Sequence, residues 1–196
     1  MRRDAGLGWE QMCGKGLKSL PGNYAKNSNS LSAECDHNGC YQGLSWRFEE
    51  KETSKPNMPY SVISKNQRAV LRDHDSAGGF GLIAIRYVGP GAPKGGSMYG
   101  LTYSDFVAMG GTTRPGSVAL YPDPAPELIP LEMVEKFGPG GKSIGRAIDF
   151  KPVMEEALRV HYDRLTGLFE GVDDGRPPKR GKLRYVNQPR THRRAK

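Results

Sequence analysis

The chain has 196 residues, 36% of them hydrophobic, with 26 Gly, 15 Pro and a formal net charge of +8, figures that fit one domain carrying much loop. No run of about 18 apolar residues occurs, which excludes a transmembrane helix, and the two N-terminal arginines have no apolar stretch behind them, as a secretory signal would need. Three cysteines, an odd number without an export signal, point to reduced thiols and a cytoplasmic location.

In chain order, a short helix is expected around Gly8–Lys18, followed by the polar, turn-rich SLPGNYAKNSNS. Residues 31–53 suggest two strands joined by a turn, with Asn38-Gly39 as the hairpin dipeptide. LSWRFEEKE alternates with period two, so Leu44, Trp46 and Phe48 face one side and Ser45, Arg47, Glu49 and Lys51 the other. Lys55–Pro59 reads as a loop. Ser64-x-x-Gln67 spells a capping box, opening a helix through about Ser76 that Gly78-Gly79 ends. Phe80–Val88 is apolar and β-branched enough for a central strand buried on both faces. Met98–Tyr103 makes a further strand, Ser104 caps a short helix, and residues 110–150 read as a long irregular segment. From Pro152 to Phe169, Val153, Ala157, Val160, Leu165 and Leu168 recur near helical spacing. Strands alternate with helices, giving an α/β class with a mixed central sheet flanked by helices. The expected division is a single domain over 1–174, its motif core at about 33–103, and a basic tail over 175–196.

The charge is placed unevenly. Nine of the 29 Lys and Arg lie in 175–196, with no acid among them; the other 20 stand against all 21 acids, a net of −1 for the body. The tail residues Arg176, Lys179, Arg180, Lys182, Arg184, Arg190, Arg193 and Arg194 therefore suggest a polyanionic partner, nucleic acid being the commonest. A solubilising terminus is the plainer alternative.

Asp36 and Glu49 sit thirteen residues apart on the two arms of the expected hairpin, where they can converge, and Lys51 projects from the face of Glu49. Two converging carboxylates suit Mg²⁺ or Mn²⁺. A cation so held can polarise a phosphodiester and lower the pKa of a bound water, and an ammonium beside it can stabilise developing charge. Asp-x(n)-Glu-x-Lys in such a hairpin is a nuclease signature, although the spelling alone is common by chance, and ion pairs on a solvated strand face would look the same.

A denser pattern surrounds it. DHNGCYQGLSWRFEEKETSK, followed by SKNQRAVLRDHDSAGGFGLIAIRY, resembles the RecU-type Holliday junction resolvases of the PD-(D/E)xK nuclease superfamily. The resemblance runs through Asp36, Asn38, Gly39, Tyr41, Gly43, Phe48, Glu49, Lys51, Glu52, Thr53, Gln67, Gly79 and the Phe80–Val88 strand, over about residues 33–88. It implies a restriction-endonuclease-like nuclease core. Asp36 and Glu49 are implied as metal ligands, with the backbone carbonyl of Glu50 as a third and Mg²⁺ or Mn²⁺ as cofactor. Lys51 is implied as the lysine of the motif, Glu10 as an auxiliary acid from the N-terminal helix, and Gln67 as a polar residue that helps set the site. The implied activity is resolution of four-way DNA junctions, and a two-fold homodimer suits paired nicks on a two-fold substrate. The chain is similar to a shortened, phage-type member: the gap from Lys18 to Asp36 is shorter than the family's, so its stalk is either lost or replaced.

Plainer readings stay open for several residues. Glu10 fits a surface acid at a helix start, and Gln67 fits the partner of Ser64 in the capping box. Glu52 and the Glu50 side chain point away from Lys51. Cys35, His37 and Cys40 lack a paired-cysteine spelling or a fourth ligand, which argues against zinc. GPGGKS has Lys136 where a phosphate-binding loop needs Gly, so no nucleotide cofactor is expected. Another PD-(D/E)xK endonuclease, of restriction or repair type, and a catalytically inactive DNA-binding module are the alternatives in function.

Overall fold

The computed structural model describes residues 5–26, 35–111, 115–137 and 143–169. The chain divides into two units, Met1–Tyr162 and Asp163–Lys196. The fold below is that of the first; of the second, only the end of the last helix is described. The basic segment 175–196 lies outside the described residues.

The elements run α1 (Ala5–Lys18), β1 (Tyr24–Lys26), β2 (His37–Tyr41), β3 (Leu44–Thr53), β4 (Asn57–Pro59), a 3₁₀ turn (Tyr60–Val62), α2 (Lys65–Ser76), β5 (Phe80–Tyr87), β6 (Ser97–Thr102), α3 (Tyr103–Ala108), β7 (Ser117–Ala119), β8 (Ile129–Pro130), β9 (Met133–Phe137), β10 (Ser143–Ile148) and α4 (Lys151–Phe169). Six strands form one mixed sheet in the order β1-β2-β3-β5-β6-β8. Only β3 and β5 are parallel, joined by the crossover through α2; the other neighbours run antiparallel. This is the α/β architecture expected from the sequence, a mixed sheet between helices, and it is consistent with a nuclease-like core.

The centre of the sheet is buried on both faces, as the composition of β5 demands. Phe80, Leu82 and Ala84 pack on one side with Trp9, Cys13 and Leu17 of α1 and Val153, Met154, Ala157 and Leu158 of α4. Ile83, Ile85 and Tyr87 pack on the other with Leu71 of α2 and Phe106 of α3. Strand β3 obeys the same rule: Trp46 and Phe48 enter the α1 side, while Glu49, in register with Ile83, turns to the α2 side. On this face Glu49 is buried, while Ser45 is exposed and Arg47 and Lys51 are partly so.

The hairpin differs from expectation in its turn. Asn38-Gly39 lies inside β2, paired with Arg47 and Trp46, and the turn is Gln42-Gly43. A type I′ hairpin turn needs left-handed backbone at both central positions, and these have φ of 49° and 87°. Gly39 serves packing instead, because a Cβ there would collide with the Trp46 indole and the carbonyl of Asn23.

Three other expectations are corrected. The segment 110–150 holds four strands rather than irregular chain: β7 pairs with β4 (inside the expected loop Lys55–Pro59), β8 with β6, and β9 with β10. Its prolines are compatible with strand because the pieces are short and peripheral, as at Pro130 on edge strand β8. Helix α3 is capped by Thr102, whose side chain accepts from the Asp105 amide, rather than by Ser104. Tyr24–Lys26, within the turn-rich stretch, adds an edge strand beside β2.

Candidate active site

The antiparallel register of β2 and β3 sets His37 opposite Phe48, which brings Asp36, one residue earlier, beside Glu49 and Glu50. Asp36 Oδ2 accepts the Glu50 backbone N–H at 2.9 Å. That bond pulls the Asp36 pKa down, but burial outweighs it and the carboxyl stands above its ordinary value.

Glu49 is completely buried. Burial, with Asp36 next to it, pushes its pKa up to about 7, against the downward pull of Lys51. Its Oε1 receives two donors, the Lys51 ammonium and the Gln67 side-chain amide, the latter at 2.5 Å. Its Oε2 is buried and has no hydrogen-bond partner among the described residues. A carboxylate oxygen so placed is costly unless something positive completes it.

Gln67 does two jobs with one amide group. Its Oε1 accepts the Ser64 N–H at 2.9 Å while the Ser64 hydroxyl accepts the Gln67 N–H at 3.2 Å, closing the capping box of α2. Its Nε2 is then left aimed at Glu49. A flipped amide would set oxygen against carboxylate and NH₂ against N–H, so the network admits one orientation. The helix start is thereby keyed to the carboxylate.

Asp36, Glu49, Lys51, the Glu50 peptide and Gln67 thus come together on the α2 side of the sheet. Glu10 does not join them. It lies on α1, which packs against the opposite side, and its carboxylate pairs with Lys26 on edge strand β1. Glu52 also faces away, paired with Arg86 at 3.1 Å. The tail residues Arg176 to Arg194 lie outside the described residues. None of the three cysteines is joined in a disulfide, and His37 points to Tyr24 and Glu50. Sequence reasoning missed this second polar cluster, behind the sheet, although the alternation that pairs Asp36 with Glu49 also pairs their neighbours His37 and Glu50.

The site sits inside a segment with a known likeness. Residues 22–109 match the family model of RecU, recombination protein U. This segment is RecU-like. The match runs from the approach to β1 through α3, beyond the stretch that carries the resemblance in the sequence, and includes Asp36, Glu49, Glu50, Lys51 and Gln67. Helix α1, strands β7–β10 and α4 fall outside it. No curated protein matches the chain. Among the described residues no helix is long and apolar enough to cross a membrane, and no group of three or more His, Cys, Asp or Glu side chains is set to hold a metal.

Two carboxylates and a peptide carbonyl nevertheless fit a hard divalent cation. Mg²⁺ takes one or two protein carboxylates and keeps several waters rather than needing a cage of side chains. The unpartnered Oε2 of Glu49 marks where positive charge is lacking.

Proposed function

We propose that the protein is a divalent-metal-dependent endodeoxyribonuclease that resolves four-way DNA junctions by paired nicking, acting as a homodimer. The RecU match supports the recombination and junction-resolving role. The observation that carries the chemistry is half-buried Asp36 beside fully buried Glu49, with Lys51 on Glu49 Oε1. Asp36, Glu49 and the Glu50 carbonyl would hold Mg²⁺ or Mn²⁺, which supplies Lewis-acid polarisation of the phosphodiester and a water of lowered pKa.

The chain's own groups do the rest. Lys51 brings a cation to the α2 side that can turn from Glu49 to a phosphate oxygen and stabilise charge as it develops. Gln67 holds Glu49 in one rotamer while that exchange occurs. Burial of Glu49 keeps bulk water from screening these interactions. Two copies related by a two-fold axis would present two such sites to opposing strands of a junction. The basic residues of 175–196 would add phosphate contacts without sequence preference.

A synthetic four-way junction and a linear duplex of the same sequence, each incubated with protein and Mg²⁺, test the reading. Paired nicks in the junction and an intact duplex are expected, with cleavage abolished in Asp36→Asn while DNA binding persists. Equal cleavage of both substrates would point to a restriction- or repair-type nuclease. Absence of any Mg²⁺- or Mn²⁺-dependent cleavage would leave a DNA-binding module.

A further inference from the structure

The two faces of the β2–β3 ladder carry different polar groups from adjacent residues. Asp36 and Glu49 turn to α2, while their neighbours His37 and Glu50 turn to α1, into the layer of Trp9, Trp46 and Phe48. A strand buried there ordinarily carries apolar side chains. Instead the wholly buried His37 lies tilted against Phe48, ring centroids 5.6 Å apart, and its Nε2 lies 3.7 Å from Glu50 Oε2. Neither atom has a hydrogen-bond partner among the described residues. Nδ1 of the same ring is 3.1 Å from the Tyr24 hydroxyl on β1, and burial, with Glu50 nearby, pushes up the pKa of the Cys13 thiol on α1.

Stability does not account for such a cluster. Buried polar groups with incomplete partners cost free energy, and apolar replacement of buried charged pairs is often neutral or stabilising. What the cluster does fix is the Glu50 peptide. Its N–H is the donor that holds Asp36 Oδ2, and both contacting side chains are chain neighbours of the carboxylate pair.

We infer that His37 and Glu50 are positioning residues for the Asp36–Glu49 pair. Facing each other at 3.7 Å across β2 and β3 on the far side of the sheet, they fix the Glu50 peptide and the register at which the two carboxylates meet. Tyr24 orients the His37 ring from the neighbouring strand. The inference rests on the metal-dependent reading of the site.

The test is Mn²⁺ affinity by titration calorimetry on the full chain, with thermal melts and steady-state cleavage of junction DNA on the same samples. Glu50→Leu should melt no lower than the parent yet bind Mn²⁺ at least about tenfold more weakly, the scale on which groups supporting metal ligands act. Its kcat should fall while KM for DNA holds, a split that a purely structural residue would not produce. Glu50→Gln, which keeps the shape and a polar contact, should recover most of the loss. Mn²⁺ affinity and kcat in Glu50→Leu equal to those of the parent would overturn the inference. Should that variant not fold, His37→Phe decides on the same scale. Asp36→Asn in the same titration separates the two readings. If Asp36→Asn loses Mn²⁺ and Glu50→Leu keeps it, only the positioning role fails; if the parent binds none, both fail.

Discussion

Replacing Glu49 by Gln should disable the site and, in metal-free protein, strengthen the fold. The Glu49 pKa is about 7 against an ordinary 4.5. At about 1.4 kcal/mol per unit, keeping this carboxylate ionised in the folded protein costs about 3 kcal/mol. The sign follows from linkage. A carboxyl with a raised folded pKa favours the folded state when protonated. That advantage is whole below about 4.5 and is lost as pH rises to about 7. The Glu49→Gln side chain cannot ionise, so the difference between variant and parent should open across this window and be complete by about pH 8. The variant leaves Lys51 without its anionic partner, but Lys51 is 19% exposed and can turn to solvent. About 3 kcal/mol is therefore a ceiling, corresponding to roughly 6–12 °C in Tm for a domain of this size. Melts of both proteins from pH 5 to pH 8 in a chelator, repeated with Mn²⁺, give the assay. Mn²⁺ should raise the Tm of the parent and close the gap, because it binds the ionised carboxylate. The same pH dependence in both proteins would refute the reasoning.

Three further outcomes follow from the same geometry. Lys51→Ala should lower cleavage by at least about a hundredfold, the scale of one charge-stabilising group, whereas Glu52→Ala, which frees only Arg86 on the other face, should change it little; equal losses in cleavage assays would mean that the two faces of β3 are wrongly assigned. Gln67→Glu keeps the acceptor that caps α2 but sets a carboxylate against Glu49, so melts should stay near the parent below pH 5 and cleavage should fall sharply at pH 8, while Gln67→Ala should lose cap and donor together; a Gln67→Glu variant with parental cleavage at pH 8 would reduce Gln67 to a capping residue. Deleting residues 176–196 should leave Mn²⁺ binding intact but weaken DNA affinity and flatten its log–log salt slope by somewhat under one unit for each phosphate the tail had neutralised, and an unchanged slope in binding isotherms would make the tail a solubility element.

What was legible in the sequence was what is local. Ser64 and Gln67 spell a capping box that the backbone forms as written, and Phe80–Tyr87 could hardly be other than a central strand. The turn was not legible, because two dipeptides competed for it. Asn38-Gly39 has the better turn chemistry, but Gln42-Gly43 takes the turn and Gly39 gives its space to Trp46, a packing relation between strands that no local propensity encodes. The strands of 117–148 were hidden by the prolines and glycines around them. Each is short, and each is held by a partner distant in sequence or by a hairpin, so its existence depends on the tertiary fold.

The site shows the same boundary more sharply. Period-two alternation put Glu49 and Lys51 on one face of β3, and the structure keeps them there. Alternation cannot tell whether that face meets water or protein, and the difference decides the chemistry. On a solvated face, Glu49 and Lys51 would be an ion pair of small worth. Roofed by α2, the same two residues become a buried carboxylate whose charge must be balanced, with the start of the helix supplying a second donor through Gln67. Glu10 stands apart from these groups for the converse reason. Its place in the chain says nothing of which side of the sheet α1 will cover, and the apolar stripe of Trp9, Cys13 and Leu17 takes it to the side of Trp46 and Phe48. The groups that meet here, Asp36, Glu49, Lys51 and Gln67, come from the β2–β3 ladder and α2, all inside the RecU-like segment. What α1 contributes lies on the other face, in the layer of Trp46 and Phe48.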